Sequence, residues 1–243
     1  MQPRLFCPPP LADGAETVLP RSAAHHATRV LRLRRGDALT LFDGEGGEFQ
    51  ASLTNVDARS VTVRLGKREP VERESPLAIT LVQGLASAER MDFVVQKAVE
   101  LGAAAIVPVA TARSVSRLDG ARARRRLDHW REVAIAACEQ CGRNRLPRLD
   151  PPGELSQWLA APSDARLRLL LAPEGASSLS EVARPAGAIE VLIGPEGGLA
   201  PEETAAAIGA GFRAVRLGPR ILRTETAGPA MLAALNALWG DWR

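Results

Sequence analysis

The sequence predicts an α/β protein, with a small β domain over the first 70 residues and a larger domain built on a mainly parallel sheet. Three observations carry this reading. Residues 37 to 65 hold short alternating β-rich stretches joined by Gly-rich punctuation. KREPVERESP (67 to 76) is charged and Pro-flanked, and reads as a linker. Beyond it, apolar strand patterns alternate with helical ones, which is how a parallel α/β sheet is written.

Taken in order, DALTLFDG and GEFQASLTNV form a hairpin across DGEGG, and SVTVRLG adds an alternating strand. LAITLVQGL then reads as a buried strand and RMDFVVQKAVELG as a helix. Met91, Val94, Val95, Ala98 and Leu101 keep helical spacing, and Gly102 is placed to stop the helix. AAIVPVA is a second buried strand. ARRRLDHWREVAIAACEQCG is a second helix, with Leu127, Trp130, Ala134, Ala137, Cys138 and Cys141 along one stripe. RLRLLLA, AIEVLIG and AVRLG complete the strands, and AGPAMLAALNALW is the last helix.

An apolar fraction of 46% over 243 residues is enough for a substantial core. The apolar runs fall short of the ~20 residues that span a bilayer, and no leader peptide is evident, so no membrane contact is expected. Three cysteines suggest no disulfide framework, and a reduced, cytoplasmic protein is the expectation. Charge is uneven: residues 113 to 148 carry ten Arg against four acids, and residues 150 to 212 carry nine acids against three Arg. A basic segment beside an acidic one points to a polyanion met by one surface. Against this, 29 of the 31 basic residues are Arg, so Arg is also this chain's ordinary surface cation.

LIGPEGGLAPEE (192 to 203) runs from a strand through a Gly-rich turn into a helix. It is neither a P-loop nor the GxGxxG fingerprint, and taken alone it is as much a tight turn as a ligand loop. CEQC ends its helix, where the dipole disfavours thiolates, and both sulfurs lie on the apolar stripe; packing is the reading. His25, His26 and His129 have no metal-ligand spacing, His129 reads as solvated, and no metal is expected. Lys97 and Glu100 read as a surface pair. Ligands of open α/β sheets bind outside the carboxyl ends of strands. That rule joins Ala172, Gly194 and Gly218, each ending a strand and followed by Pro173, Pro195 and Pro219, into one cleft walled by backbone.

At these residues the sequence resembles, nearly end to end, the small-subunit (16S) ribosomal RNA uridine-N3 methyltransferases, a branch of the SPOUT (trefoil-knot) class. PRLFCP, HHATRVLRLRRGD and LFDGEGGEF are similar to that family's PUA-like RNA-binding domain. ESPLAITLVQGL, MDFVVQKAVELG, AIAACEQCGRNRLP, LIGPEGGL and LGPRILRTETA are similar to its catalytic domain. The resemblance implies a PUA-like β-barrel over residues 1–70 and a SPOUT parallel-sheet domain with a C-terminal trefoil knot over residues 75–243. It also implies a homodimer, S-adenosylmethionine as methyl donor, and 16S rRNA or the assembled small ribosomal subunit as substrate, at the decoding-region uridine 1498.

By the same resemblance, Leu171, Ala172, Gly194, Pro195, Glu196, Gly197, Leu217, Gly218, Ile221, Leu222 and Thr226 would surround the donor. Arg4, His26, Arg29, Arg32, Arg34, Arg35, Arg113 and Arg143 would meet RNA. A sulfonium methyl is already electrophilic, so the remaining task is to align N3, remove its proton and stabilise charge on the uracil oxygens. Arg223, held by packing of Ile221 and Leu222, is the candidate for the charge, and Glu225 or Glu196 for the proton, with Glu225 alternatively a partner of Arg223. Two departures stand out. Ala200 precedes Pro201 where a Ser or Thr would cap the helix, at a cost of ~1 kcal/mol. Gly228-Pro229 requires a late helix start, which makes Thr226 rather than Thr224 the cap. The rivals are a SPOUT ribose 2′-O-methyltransferase, disfavoured because Gln83 stands where those enzymes carry Asn, and a non-catalytic assembly factor, disfavoured by the intact ligand loop and Arg223.

Overall fold

In the computed structural model, residues 2–57, 60–115, 119–172 and 177–242 are described. The chain divides into two units, the first made of residues 1–74 and 135–146, the second of 75–134 and 147–243.

The first unit is a five-stranded sheet. Strands β1 (Arg4–Phe6), β2 (Glu16–Val18), β3 (Ala38–Phe42), β4 (Glu48–Val56) and β5 (Val61–Glu69) lie in the order β1-β3-β4-β5-β2. Only β1 and β3 pair in parallel; the β3–β4 hairpin turns at Asp43–Gly47, as the DGEGG punctuation predicts. Alternation sends Leu39 and Leu41, Phe49, Ala51 and Leu53, and Val61, Val63 and Leu65 to one face. Ala23 and Ala27 close this core from α1 (Arg21–His25) and the π-helical turn His26–Val30. The expected linker is shorter than its composition suggests. β5 runs to Glu69, and Glu72, Arg73 and Glu74 are each engaged in ion pairs.

The second unit carries the parallel sheet. Its elements are β6 (Ile79–Gly84), α2 (Ala88–Glu100), β7 (Ala105–Ala110), α3 (Gly120–Cys141), β8 (Arg148–Leu149), β9 (Gly153–Glu154), α4 (Leu155–Ala160), β10 (Leu167–Leu171), β11 (Ser177–Ser178), β12 (Ile189–Ile193), α5 (Pro201–Gly209), β13 (Arg213–Arg216) and α6 (Thr224–Trp239). The order is β11-β13-β10-β12-β6-β7-β8, with β9 also on β7, and every pairing is parallel. Strands buried on both faces explain why LAITLVQGL and AIEVLIG read as mostly apolar runs. Val82, Leu170 and Leu192 pack with Leu155, Ala207 and Phe212 on one side. Leu81 and Gln83 face α6 on the other, where a Cβ on Gly228 would stand 3.3 Å from Leu81. Each fully buried Val or Leu contributes ~1.5–3 kcal/mol, so these two layers outweigh any single polar contact in holding the strands in register.

The last part of α3, with residues 142–146, belongs to the first unit. Cys138 is buried there and Cys141 half-buried; both are free thiols, and burial pushes the Cys138 thiol up to about 12. That is packing chemistry, not redox chemistry. His129 is exposed, as expected, and its Nε2 lies 2.8 Å from Asp92, which also accepts from Trp130 Nε1.

Candidate functional site

Adjacent strands bring the candidate residues together. β13, β10 and β12 are neighbours, with Leu170 in register with both Leu192 and Ala214, and the Ala172 N–H donates to the Val215 carbonyl. Ala172, Gly194 and Leu217 therefore leave one edge of the sheet side by side. Pro173, the first of the three prolines, lies outside the described residues. Among the described residues there is no group of three or more His, Cys, Asp or Glu that could hold a metal ion, and no helix is long and apolar enough to cross a membrane.

The turn Gly194–Gly198 is pressed against its surroundings. A Cβ on Gly194 would sit 3.0 Å from the Leu199 nitrogen, and one on Gly84 would sit 2.6 Å from Pro195. Backbone this close leaves no room for a Cβ at Gly84 and crowds one at Gly194, so the turn presents main-chain groups. Arg113, exposed on the loop after β7, donates to the Gly197 carbonyl at 3.0 Å. At α5 the missing Ser or Thr is half compensated. The Ala200 methyl accepts nothing, but Glu203 accepts from the Ala200 N–H at 2.9 Å and from the Ala112 N–H at 2.8 Å.

A polar chain ties this turn to the last helix. Buried Gln83 donates through Nε2 to the Thr224 hydroxyl at 2.8 Å, and that hydroxyl donates to the Gly194 carbonyl at 2.6 Å. Thr224 thus works as a strut at the first helical position, and neither threonine caps the helix. α6 starts at Thr224 with Arg223 as its N-cap residue, and Pro229 lies inside it; the late start expected from Pro229 is overturned. The first turn instead closes through Thr226 and Ala227 N–H bonds to the Arg223 carbonyl. This anchoring offsets the missing N–H of the proline.

The carboxylates are placed by a residue that sequence reasoning missed. Arg90, in the first turn of α2, donates through Nη1 to Glu196 Oε1 at 2.8 Å, and its Nε lies 3.5 Å from Glu225 Oε2. Glu196 also accepts from the Ser87 N–H at 2.9 Å. Burial pushes the Glu196 carboxyl up, but the backbone donors and the Arg90 guanidinium outweigh it and hold it below the usual carboxylate range. Arg223 is exposed and makes no ion pair among the described residues, so Glu225 is not its partner. Ile221 is 79% exposed, so packing within this chain does not hold the arginine. Leu217, Leu222 and Glu225 are half-buried, and Gly218 and Thr226 exposed, at the open edge. The missed signal was the Gln83-Gly84 pair ending a strand, with Ser87 and Arg90 opening the next helix.

The expected RNA contacts separate into two groups. Arg29, Arg32, Arg34 and Arg35 are exposed and unpaired among the described residues, and His26 is part-exposed, 3.4 Å from Glu139. Arg4 and Arg143 are not available. Arg4 Nη1 donates to Glu48 and Nη2 to Asn144, both at 2.6 Å, and its guanidinium covers the Phe42 ring. Arg143, only 5% exposed, grips Glu74 through Nε at 2.9 Å and Nη2 at 2.5 Å. Both are structural cations of the first unit, because desolvated guanidinium groups take the nearest carboxylates.

Comparison with known proteins adds the following. An RNA methyltransferase domain family matches residues 73–236, and an RNA methyltransferase PUA domain family matches residues 19–66. The chain is 35% identical to the ribosomal RNA small subunit methyltransferase E of Mycobacterium bovis, over 94% of this chain and 89% of that one. A crystal structure of a ribosomal RNA small subunit methyltransferase E from Neisseria gonorrhoeae, bound to S-adenosyl methionine, is 42% identical with a TM-score of 0.95 and covers 100% of both chains. A methyltransferase structure from Legionella pneumophila with bound SAM is 38% identical, with a TM-score of 0.96 over 99% of each chain.

Proposed function

The chain belongs to the RNA methyltransferase family, and from that premise we propose that it transfers a methyl group from S-adenosylmethionine to N3 of a uridine in small-subunit ribosomal RNA, at the decoding-region uridine 1498. The observation that carries this reading is the glycine-walled edge formed where β13, β10 and β12 end together, with Arg90, Glu196, Glu225 and Arg223 along it.

The residues present fit the donor. Backbone at Leu171, Ala172, Gly194–Gly197, Leu217, Gly218, Ile221, Leu222 and Thr226 would hold it, and a Cβ on Gly218 would meet only the far end of Arg220, at 4.0 Å, so that side is open. When bound, the donor supplies an electrophilic methyl on sulfur, and no metal is called for. The protein's part is alignment of N3, acceptance of its proton and stabilisation of charge on the flanking oxygens. Arg223, exposed and uncommitted, takes the last role. Arg29, Arg32, Arg34, Arg35 and His26 of a PUA-like unit over residues 1–70 meet the RNA phosphates, and Arg113 meets them from the methyltransferase unit over residues 75–243.

The β13-β10-β12 adjacency, in which the latest strand lies beside the earliest of the three, supports a trefoil-knotted C-terminal half. Exposed Ile221, Leu238 and Trp242 support a homodimer, with the active site near the subunit interface. A ribosomal RNA substrate accords with a cytoplasmic protein. Two measurements test the function: calorimetry of the purified protein with S-adenosylmethionine in the presence of a chelator, and mapping of the methylated nucleotide in ribosomal RNA from cells lacking the gene. No heat of binding, or an unchanged methylation map, would refute it.

A further inference from the structure

We propose that Arg90 is a positioning residue of the methyl transfer, lying across Glu196 and Glu225 so that Glu196 is held against the start of α2 and Glu225 is left to accept the N3 proton. The inference rests on the reaction proposed above and deepens it, because it decides between two carboxylates that the sequence leaves equivalent.

The geometry is asymmetric. Glu196 Oε1 is occupied twice, by the Ser87 N–H at 2.9 Å and by Arg90 Nη1 at 2.8 Å. Those bonds fix the ligand turn to the start of α2, and a carboxylate with two direct donors is a poor proton acceptor. Among the described residues Glu225 receives only the long 3.5 Å approach of Arg90 Nε. Oε2 of Glu225 and of Glu196 are both buried without a hydrogen bond, but only Glu196 has its other oxygen held by donors. A buried carboxylate oxygen left without a donor is costly, and an N–H arriving with the substrate would satisfy it.

Without Arg90 both carboxylates would lose their guanidinium contact at this edge. The other charged groups at this edge are placed differently: Arg113 is on the Gly197 carbonyl, Arg223 is exposed ahead of α6, and Glu89, next to Arg90, is exposed. Among the described residues Arg90 is therefore the cation in contact with both carboxylates. In the step assigned to Glu225, the N3–H bond breaks and an O–H bond forms on Oε2. The N3 electron pair then forms the N–C bond as the donor's methyl–sulfur bond breaks, its electron pair staying on sulfur, which leaves as a neutral thioether. The proton then passes to water.

The test is a double-mutant cycle in single-turnover methylation of small ribosomal subunits, run across pH with donor affinity measured by calorimetry. Glu225→Gln should lose about 10² in rate, the lower end for a general base, with donor affinity within about threefold of wild type. Arg90→Ala should lose about tenfold and move the acidic limb of the pH–rate profile to higher pH. Arg90→Lys should recover part of the rate, because it keeps the charge but not the fork. The double variant should be no slower than Glu225→Gln alone, within about threefold, because Arg90 acts through that carboxylate. Should thermal melting show Arg90→Ala unfolded, Arg90→Gln carries the same cycle. Losses that multiply, or a wild-type rate in Glu225→Gln, would overturn this assignment while leaving the reaction intact. Absence of methyl transfer by the wild-type protein would overturn the reaction and the assignment together.

Discussion

Two stretches of the first unit use the same side chain in opposite ways. Arg4 and Arg143 are sunk among Glu48, Glu74 and Asn144, with each guanidinium committed. Arg29, Arg32, Arg34 and Arg35 stand in solvent without partners among the described residues. The second unit repeats the contrast at its ligand edge, where Arg90 spans two carboxylates and Arg223 is exposed without an ion pair among the described residues. A committed arginine positions other groups and cannot also capture a ligand, because releasing it would strand a carboxylate. An uncommitted one is free to meet phosphate or a developing oxyanion, and its contribution is felt only in the complex.

The largest effect should come from breaking the committed class. Arg143→Ala leaves Glu74 without its two short bonds and should cost about 3 kcal/mol of stability, the low end for a split buried pair because Glu74 keeps some solvent contact. Urea denaturation measures it; unchanged stability with weakened RNA binding would move Arg143 to the other class.

Arg223→Ala should do the reverse. Single-turnover rates should fall about 10² or more, equivalent to ~2.7 kcal/mol of transition-state stabilisation, while the melting temperature and donor affinity stay near wild type. Wild-type turnover in this variant would remove Arg223 from the mechanism.

A smaller, pH-dependent effect should mark Glu48. Burial pushes its carboxyl up, yet hydrogen bonds from Arg73, Arg4 and Asn144 prevail and hold it below the usual range. A depressed folded-state pKa contributes stability that is present above the unfolded value, ~4.3, and lost as pH falls through the folded value. Acid unfolding of Glu48→Gln should accordingly be shallower below about pH 4.3 than that of the wild type; parallel curves would mean that the pair does not respond to protonation.

The smallest effect on the fold is expected from the free arginines. Replacing Arg29, Arg32, Arg34 and Arg35 together should change stability by no more than ~0.5 kcal/mol. RNA binding should nevertheless lose salt dependence, by ~0.7–0.9 log units of slope for each phosphate contact removed. A slope equal to wild type would make these arginines ordinary surface.

Most of the strands and the long helices could be read from the chain itself. LAITLVQGL and AIEVLIG are mostly apolar, broken only by Thr80, Gln83 and Glu190, because both faces of their strands are covered, and the Met91–Val94–Val95–Ala98 spacing marks the face of α2 that is buried. Three-residue β1 and β2 escaped, since so short a run has no period to detect. At the ligand edge the glycine turn and the neighbouring strand ends were legible from punctuation and the crevice rule. Arg90, Gln83 and Thr224 were not, and the RNA contacts expected of Arg4 and Arg143 and the packing expected of Ile221 within this chain failed.

By itself, then, the sequence determined the fold class, the hairpin, the ligand turn and the family, all of which are written in local pattern or in contiguous motifs. Only the tertiary structure decided which arginines are committed, where α6 begins and which carboxylates share a cation. Arg4 meets Asn144 across 140 positions, Gln83 meets Thr224 across 141, and Arg90 meets Glu196 across 106. Pairings at that separation leave no periodicity along the chain. They are settled by which strand ends the register brings together and by the high cost of leaving a buried charge or carbonyl without its partner.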